Sequence, residues 1–188
     1  MKLNNMSLSK CIDTLKNNNI IAYPTESVFG LGCNPNSKSA IIKLLKLKKR
    51  VWRKGLILVA SHYYQVRSYI SEHELSFQQR IIISKGWSYP ITFLVPAKSS
   101  VPYWLTGQSK FLAIRISSHY SIKKLCNAFG AALISTSANY SGLKPCKTYE
   151  EVVKQFGKNF PILCGTVGKS QSPSKIINVI SGELIRGV

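Results

Sequence analysis

The sequence predicts a single α/β domain over residues 1–188, with mixed rather than strictly alternating element order. Three observations predict it. Short apolar runs of strand length alternate irregularly with segments whose apolar residues recur at helical spacing. No linker, low-complexity tract or internal repeat interrupts the chain. Hydrophobic residues make up 45% and charged ones 18%, the balance of a globular protein long enough to bury a core.

The elements follow in order. Ser7 to Asn17 predicts a helix capped by Ser7, with Leu8, Cys11, Ile12 and Leu15 on one face. "NIIAYP" predicts a strand stopped by Pro24, and "TESVFGLGCNPN" a loop rich in Gly, Asn and Pro. Ser37 caps a helix through Arg50, with Ala40, Ile41, Leu44, Leu45 and Lys48 at helical spacing. "GLILVA" reads as a buried strand, and Tyr63–Ile70 and Leu75–Ser84 as helical. "ITFLVPA" and "FLAIRIS" are strands, and Ser121–Phe129 is a helix ended by Gly130. "AALIS" is the next strand, followed by a Thr148–Phe156 helix ended by Gly157, and "PILCG" and "KIINVI" close as strands.

Lys and Arg number 26 against 7 acids, a net charge of +19. Such a field attracts polyanions. A composition biased toward Lys, Ile and Asn gives the same excess without selection for contact, and both readings stand. Asp13, Glu72, Glu74, Glu150 and Glu151 fall in helix-like polar patterns, which predicts solvated side chains. The acids are too few for a two-carboxylate glycosidase or a multi-carboxylate metal site, so the expected ligand is an anion. The 5 cysteines show no CxxC and no zinc spacing with the 3 histidines, so they are expected as reduced packing residues. No apolar run reaches the ~18 residues of a membrane span. "MKLNNMSLSK" has no apolar signal-peptide core, so the expected compartment is the cytoplasm and no membrane partner is expected.

Phosphate loops of the familiar kinds are missing. There is no GxxxxGK[ST], and "FGLGCN" lacks the third glycine of a dinucleotide fingerprint. Other segments carry chemistry instead. In "YPTESVFGLGC", Thr25 and Ser27 offer hydroxyls at a strand end, and Gly30 and Gly32 permit close backbone approach. "KLKKRVWRKG" places six basic residues in nine, so Lys48, Arg50 and Lys54 can converge on one anion. In "AALISTSANYSG", Ser135, Thr136, Ser137 and Asn139 follow a buried strand as a row of small polar groups. Spacing on an extended chain lets Ser135 and Ser137 face one pocket. No GxSxG elbow accompanies them, which argues against a nucleophilic serine. Arg115 lies inside an apolar strand and must find a partner. With acids scarce, a ligand carboxylate or phosphate is the favoured partner over a structural carboxylate.

These segments, in this order, resemble the YrdC family in its short bacterial form. The resemblance runs from about Ile12 to Val188. "IIAYPTESVFGLGC" is similar to the family's YPTET-type opening, and "LLKLKKRVWRKGLILVA" to its KxR helix, loop and strand. "ALISTSANYSGLKPC" is similar to the S-x-S-A-N-x-S-G segment, and "PSKIINVISGELIRGV" to the closing P-S-x-I strand and terminal Arg. The resemblance implies a twisted mixed open sheet flanked by helices, with a basic concave pocket. It implies an ATP-dependent nucleotidyltransferase that joins L-threonine, bicarbonate and ATP into threonylcarbamoyl-AMP and releases pyrophosphate. That product would serve threonylcarbamoylation of tRNA adenosine beside the anticodon. tRNA is expected as a partner directly or through a downstream transferase complex.

The resemblance also implies roles. Lys48 and Arg50 would be the catalytic pair and, with Lys54, the triphosphate binders. Ser137, Asn139 and Arg186 would hold the nucleotide. Ser27, Arg115, Ser135 and Ser174 would hold threonine or its carbamate, Arg115 against the carboxylate, with Thr25 shaping the same pocket. Magnesium would ride on the ATP phosphates, with no tightly bound protein metal. Departures from the family pattern are Ser27 for Thr, "GWSYPIT" with Ser88 and Tyr89 for a WPGP-like segment, and "RISSH", which leaves the role of His119 open. The competing function is a non-catalytic RNA-binding protein using the positive surface for rRNA or tRNA maturation. It explains the charge but not the hydroxyl and amide row after a buried strand.

Overall fold

The computed structural model describes residues 7–85 and 90–187. The Ser88–Tyr89 departure lies outside the described residues. Eight strands among these residues form one open mixed sheet: β1 (Ile21–Pro24), β2 (Phe29–Gly32), β3 (Ile57–Ala60), β4 (Ile91–Pro96), β5 (Phe111–Ile116), β6 (Leu133–Ser137), β7 (Lys175–Asn178) and β8 (Leu184–Arg186). Their order is β1-β2-β6-β3-β5-β4-β7-β8. The pairs β3–β5 and β4–β7 are parallel and the other neighbours antiparallel. The helices are α1 (Leu8–Lys16), α2 (Lys38–Lys48), α3 (Phe77–Ser84), α4 (Tyr103–Thr106), α5 (Tyr120–Phe129) and α6 (Tyr149–Phe156).

Strand alternation divides the core between the sheet's two faces. Ile21, Tyr23, Val59 and Leu133 point to one face, where Cys11, Ile12 and Leu15 of α1 and Ile122, Leu125 and Cys126 of α5 cover them. Their neighbours Ala22, Leu58, Ala60 and Ile134 point the other way, into a larger cluster with Ala40, Ile41 and Leu44 of α2 and Val152 of α6. Ser7, Ser37 and Thr148 each accept a backbone N–H at the start of α1, α2 and α6. No helix among the described residues is long and apolar enough to cross a membrane.

Several expectations are corrected. The loop predicted over residues 25–36 contains β2, because Gly30 and Gly32 serve close packing rather than a turn. A Cβ at Gly32 would stand 2.6 Å from Tyr23 Cε1 and 2.8 Å from the Ile134 carbonyl. The helix expected through Arg50 stops at Lys48, where Lys49 takes a left-handed φ of 45°. Tyr63–Ile70 forms two 3-10 turns, Tyr63–Gln65 and Arg67–Tyr69. Gln65 Oε1 draws the chain tight there by accepting the Ser61 N–H at 2.9 Å and the Ser61 hydroxyl at 2.9 Å. Leu75–Ser84 begins its helix only after the Ser76 cap. "PILCG" is no strand, yet Ala22 N–H donates to Pro161 O and Leu163 N–H to Ala22 O, so this segment covers the free edge of β1. β8 and α4 were not anticipated.

The basic loop is docked rather than free. After α2 it forms a 3-10 turn, Trp52–Lys54, against α4. Leu56 N–H donates to Leu105 O at 2.9 Å, and Gln108 N–H to Arg53 O at 3.3 Å. Gly107 closes this contact at φ +69°, where a Cβ would collide with Arg53 O and stand 2.6 Å from Gly55 N. Gly107→Ala is expected to cost about 3 kcal/mol of stability in urea unfolding, from the positive φ and the clash together. A loss below about 0.5 kcal/mol would contradict this account of the loop.

Candidate active site

A cavity of about 680 Å³ opens where the β1–β2 turn, the end of β6, β5, the loop after α2 and the segment before β7 meet. Thr25 starts the wall. Its hydroxyl donates to Val28 O at 2.8 Å, which closes the β1–β2 turn and presents Ser27 to the cavity. β6 pairs with β2 through Gly30–Ser137 and with β3 through Ile57–Ser135, so Ser135, Thr136 and Ser137 arrive at the same wall. Gly30 lines the same wall, where a Cβ would stand 3.1 Å from Thr25 Cγ2 and 3.5 Å from Ser135 Oγ.

Behind Ser137 lies a closed polar network. The Lys48 ammonium donates to Ser137 O at 2.8 Å, Asn139 O at 2.5 Å and Asn139 Oδ1 at 2.7 Å. Those three bonds use all its protons. Burial, then the neighbouring Arg50, pushes the Lys48 pKa down to about 8. Asn139 accepts the Ser137 hydroxyl at 2.6 Å, and its amide donates to Tyr140 O and Leu143 O. Lys48 and Asn139 therefore bind the protein and are not on the cavity wall; they set the direction of Ser137.

Three guanidiniums do reach the cavity. Arg50, turned inward by the left-handed Lys49, donates from Nη2 to Gly55 O at 2.9 Å, while its buried Nε has no partner. Arg186 on β8 donates to Ser174 O at 2.7 Å and to Ser174 Oγ at 3.2 Å. Ser174 Oγ also meets Thr92 Oγ1 at 2.8 Å. Arg115 stands in the buried middle of the wall. Burial first, then Arg115 and Arg50, lowers the Arg186 pKa. Burial likewise lowers that of Arg50.

Of the residues named from the sequence, Thr25, Ser27, Arg50, Arg115, Ser135, Ser137, Ser174 and Arg186 line the cavity. Lys54 does not: it is exposed on the 3-10 turn. Arg115 has a structural partner that the sequence reading disfavoured, Glu26 Oε2 at 3.6 Å from Nη1. Glu26 was missed; its one signal was an acid outside any helical pattern, two residues from Pro24. Burial would raise its pKa, but Arg115 and the Ser117 hydroxyl outweigh it and hold the carboxyl below its ordinary value. Lys144, Lys147, Glu151 and Gln155, from α6 and the chain before it, also line the cavity. Glu151 and Glu72 are not simply solvated. Glu151 accepts the Lys147 N–H at 2.5 Å, and Glu72 pairs with Arg67 at 2.8 Å. His119 precedes α5 with its Nδ1 buried and unpartnered, and burial lowers its pKa.

An open α/β sheet with a cationic, hydroxyl-walled cavity defines an anion-binding protein class. The family model described as "Telomere recombination", Sua5/YciO/YrdC, matches residues 13–187. The chain belongs to this family. It is 61% identical over 184 residues to a threonylcarbamoyl-AMP synthase of Buchnera aphidicola subsp. Baizongia pistaciae, covering 98% of this chain and 99% of that one. The threonylcarbamoyl-AMP synthase of Photorhabdus laumondii is 50% identical over 175 residues, 93% of each chain. Among solved structures, P. abyssi Sua5 complexed with L-threonine superposes with a TM-score of 0.85 at 24% identity, over 95% of this chain and 53% of that one. E. coli YciO gives 0.74 at 22% identity, over 91% and 82%. This chain thus spans about half the length of the Sua5 chain.

The geometry separates a residue that builds the structure, Lys48, from one that faces the cavity, Arg50. Lys48→Met leaves Asn139 O without its Lys48 donor, while Ser137 O keeps the Asn139 N–H and Asn139 Oδ1 the Ser137 hydroxyl. With the lost anchoring of the β6 end it is expected to cost about 2 kcal/mol or more in urea unfolding. Arg50→Gln keeps an amide for Gly55 O and is expected to stay within about 1 kcal/mol of wild type. Equal losses for the two variants would contradict the division.

Proposed function

We propose that this cavity synthesises threonylcarbamoyl-AMP from L-threonine, bicarbonate and ATP, releasing pyrophosphate. The observation that carries it is the convergence of Arg50, Arg115 and Arg186 on one hydroxyl-lined cavity. The names of the full-length relatives support it. The threonine amine adds to the carbon of CO2 derived from bicarbonate and loses a proton, giving a carbamate. A carbamate oxygen attacks the α-phosphorus of ATP, the bond to the β-phosphate oxygen breaks, and pyrophosphate leaves. Two anions must approach each other, so positioning and charge neutralisation are what the protein supplies.

In this reading Arg115 binds the threonine carboxylate, while Ser27, Ser135 and Ser174 offer hydroxyls to the amino acid. Arg50 and Arg186 bind the phosphates, and Ser137, aimed by Lys48 and Asn139, holds the nucleotide. Lys144 and Lys147, also in the cavity lining, add charge. Lys54 is left out of the set, since it is off the wall. Magnesium is part of the substrate, carried on the ATP phosphates. The product then serves threonylcarbamoylation of tRNA through a separate transferase, and the +19 charge supports contact with tRNA. A concave, hydroxyl-lined cavity favours this enzyme over a purely RNA-binding role, which needs only an outer basic surface.

The test is pyrophosphate release by the purified protein. It is expected to require ATP, bicarbonate and threonine together. Arg50→Gln is expected to lower kcat/KM for ATP about 100-fold. No release with any amino acid would overturn the proposal and leave RNA binding as the function.

A further inference from the structure

We infer that Glu26 is a positioning residue that holds the Arg115 guanidinium in the cavity wall, aimed at the substrate's carboxylate; this rests on the threonine reading above. Arg115 projects from β5 into a space shared with Arg50 and Arg186. Like charges drive it away from the other two, and the strand's apolar neighbours give it no anchor. Glu26 supplies the opposing charge. Its Oε2 lies 3.6 Å from Arg115 Nη1, with the two side chains 15% and 10% exposed.

The carboxylate is itself held on two sides. Ser117, two residues after Arg115 on the same strand's extension, donates its hydroxyl to Glu26 Oε1 at 2.6 Å. Ser117 Oγ in turn accepts the His119 N–H at 3.1 Å. The Glu26 backbone is fixed as well: its carbonyl accepts the Ser170 N–H at 3.0 Å. Gly168 packs so closely that a Cβ there would stand 2.7 Å from Glu26 O. Glu26 cannot drift, so Arg115 is referenced to a fixed point.

The pair is held apart rather than locked. At 3.6 Å it is longer than a charge-assisted hydrogen bond of about 2.7–2.9 Å. Glu26 Oε2 and Arg115 Nε are both buried without a hydrogen-bond partner. A closed bidentate fork would have consumed the guanidinium edge. The observed arrangement orients Arg115 on the cavity wall without closing a short ion pair on its guanidinium. Glu26 Oε2 is buried, so Glu26 acts through Arg115 and not on the substrate directly.

The experiment is calorimetric titration of L-threonine into the full chain with a non-hydrolysable ATP analogue present, alongside titration of the analogue itself. E26Q keeps the shape and the Ser117 hydrogen bond but removes the charge. It is expected to weaken threonine binding about tenfold while analogue binding stays within about twofold. E26D, which restores the charge at shorter reach, is expected to recover part of the loss. S117A is expected to weaken threonine about threefold and carries the test with E26D if E26Q does not fold. Unchanged or tighter threonine binding in these variants overturns the inference. Equal weakening of threonine and analogue with a lowered Tm also overturns it, in favour of a structural role. A wild-type protein that binds no threonine overturns the substrate reading itself, and this inference with it.

Discussion

Three arginines share one cavity, and they are oriented mainly by carbonyl groups rather than by carboxylates. Arg50 is aimed by Gly55 O and Arg186 by Ser174 O. A carbonyl dipole fixes direction without cancelling charge. Only Arg115 faces a carboxylate among the described residues, and that contact is long. On the surface the same chain does the opposite, closing Arg67 onto Glu72 at 2.8 Å. The cavity therefore keeps its positive charge for a ligand, and the protein carries the repulsion until one arrives.

The fold supplies the rigidity this requires. Core packing on both sheet faces fixes β5 and β6, from which Arg115 and the Ser135–Ser137 run project. The break at Lys49 separates two cations two residues apart into different tasks. Lys48 turns under the β6 end and spends its protons on protein oxygens. Arg50 turns over it into the cavity. A single left-handed residue thus converts a run of basic residues into one anchor and one group that faces the cavity.

Much of this was legible in sequence. The apolar runs and caps gave six strands and most helices, and hydroxyls and arginines in and beside strands marked the cavity. Where reading failed, long-range contact was the reason. "FGLG" looks like a loop by composition; only the ring of Tyr23 and the backbone of β6 explain glycines inside a strand. Residues 63–70 have a helical pattern, but Gln65 spends its side chain on Ser61 and tightens the turn. Lys48 and Arg50 look equivalent until the backbone between them is known. Glu26 stood out only as an acid outside the helical patterns, and no local pattern shows which of seven acids will meet Arg115.

The central claim is that uncompensated guanidiniums await an anion, and thermal unfolding with and without MgATP tests it most directly. Saturating MgATP, near 100 times its Kd, is predicted to raise Tm by roughly 5–10 °C, and by far less in Arg50→Gln. Raising the salt concentration should shrink the shift. A Tm unmoved by MgATP, or a shift equally large in Arg50→Gln, would contradict the account.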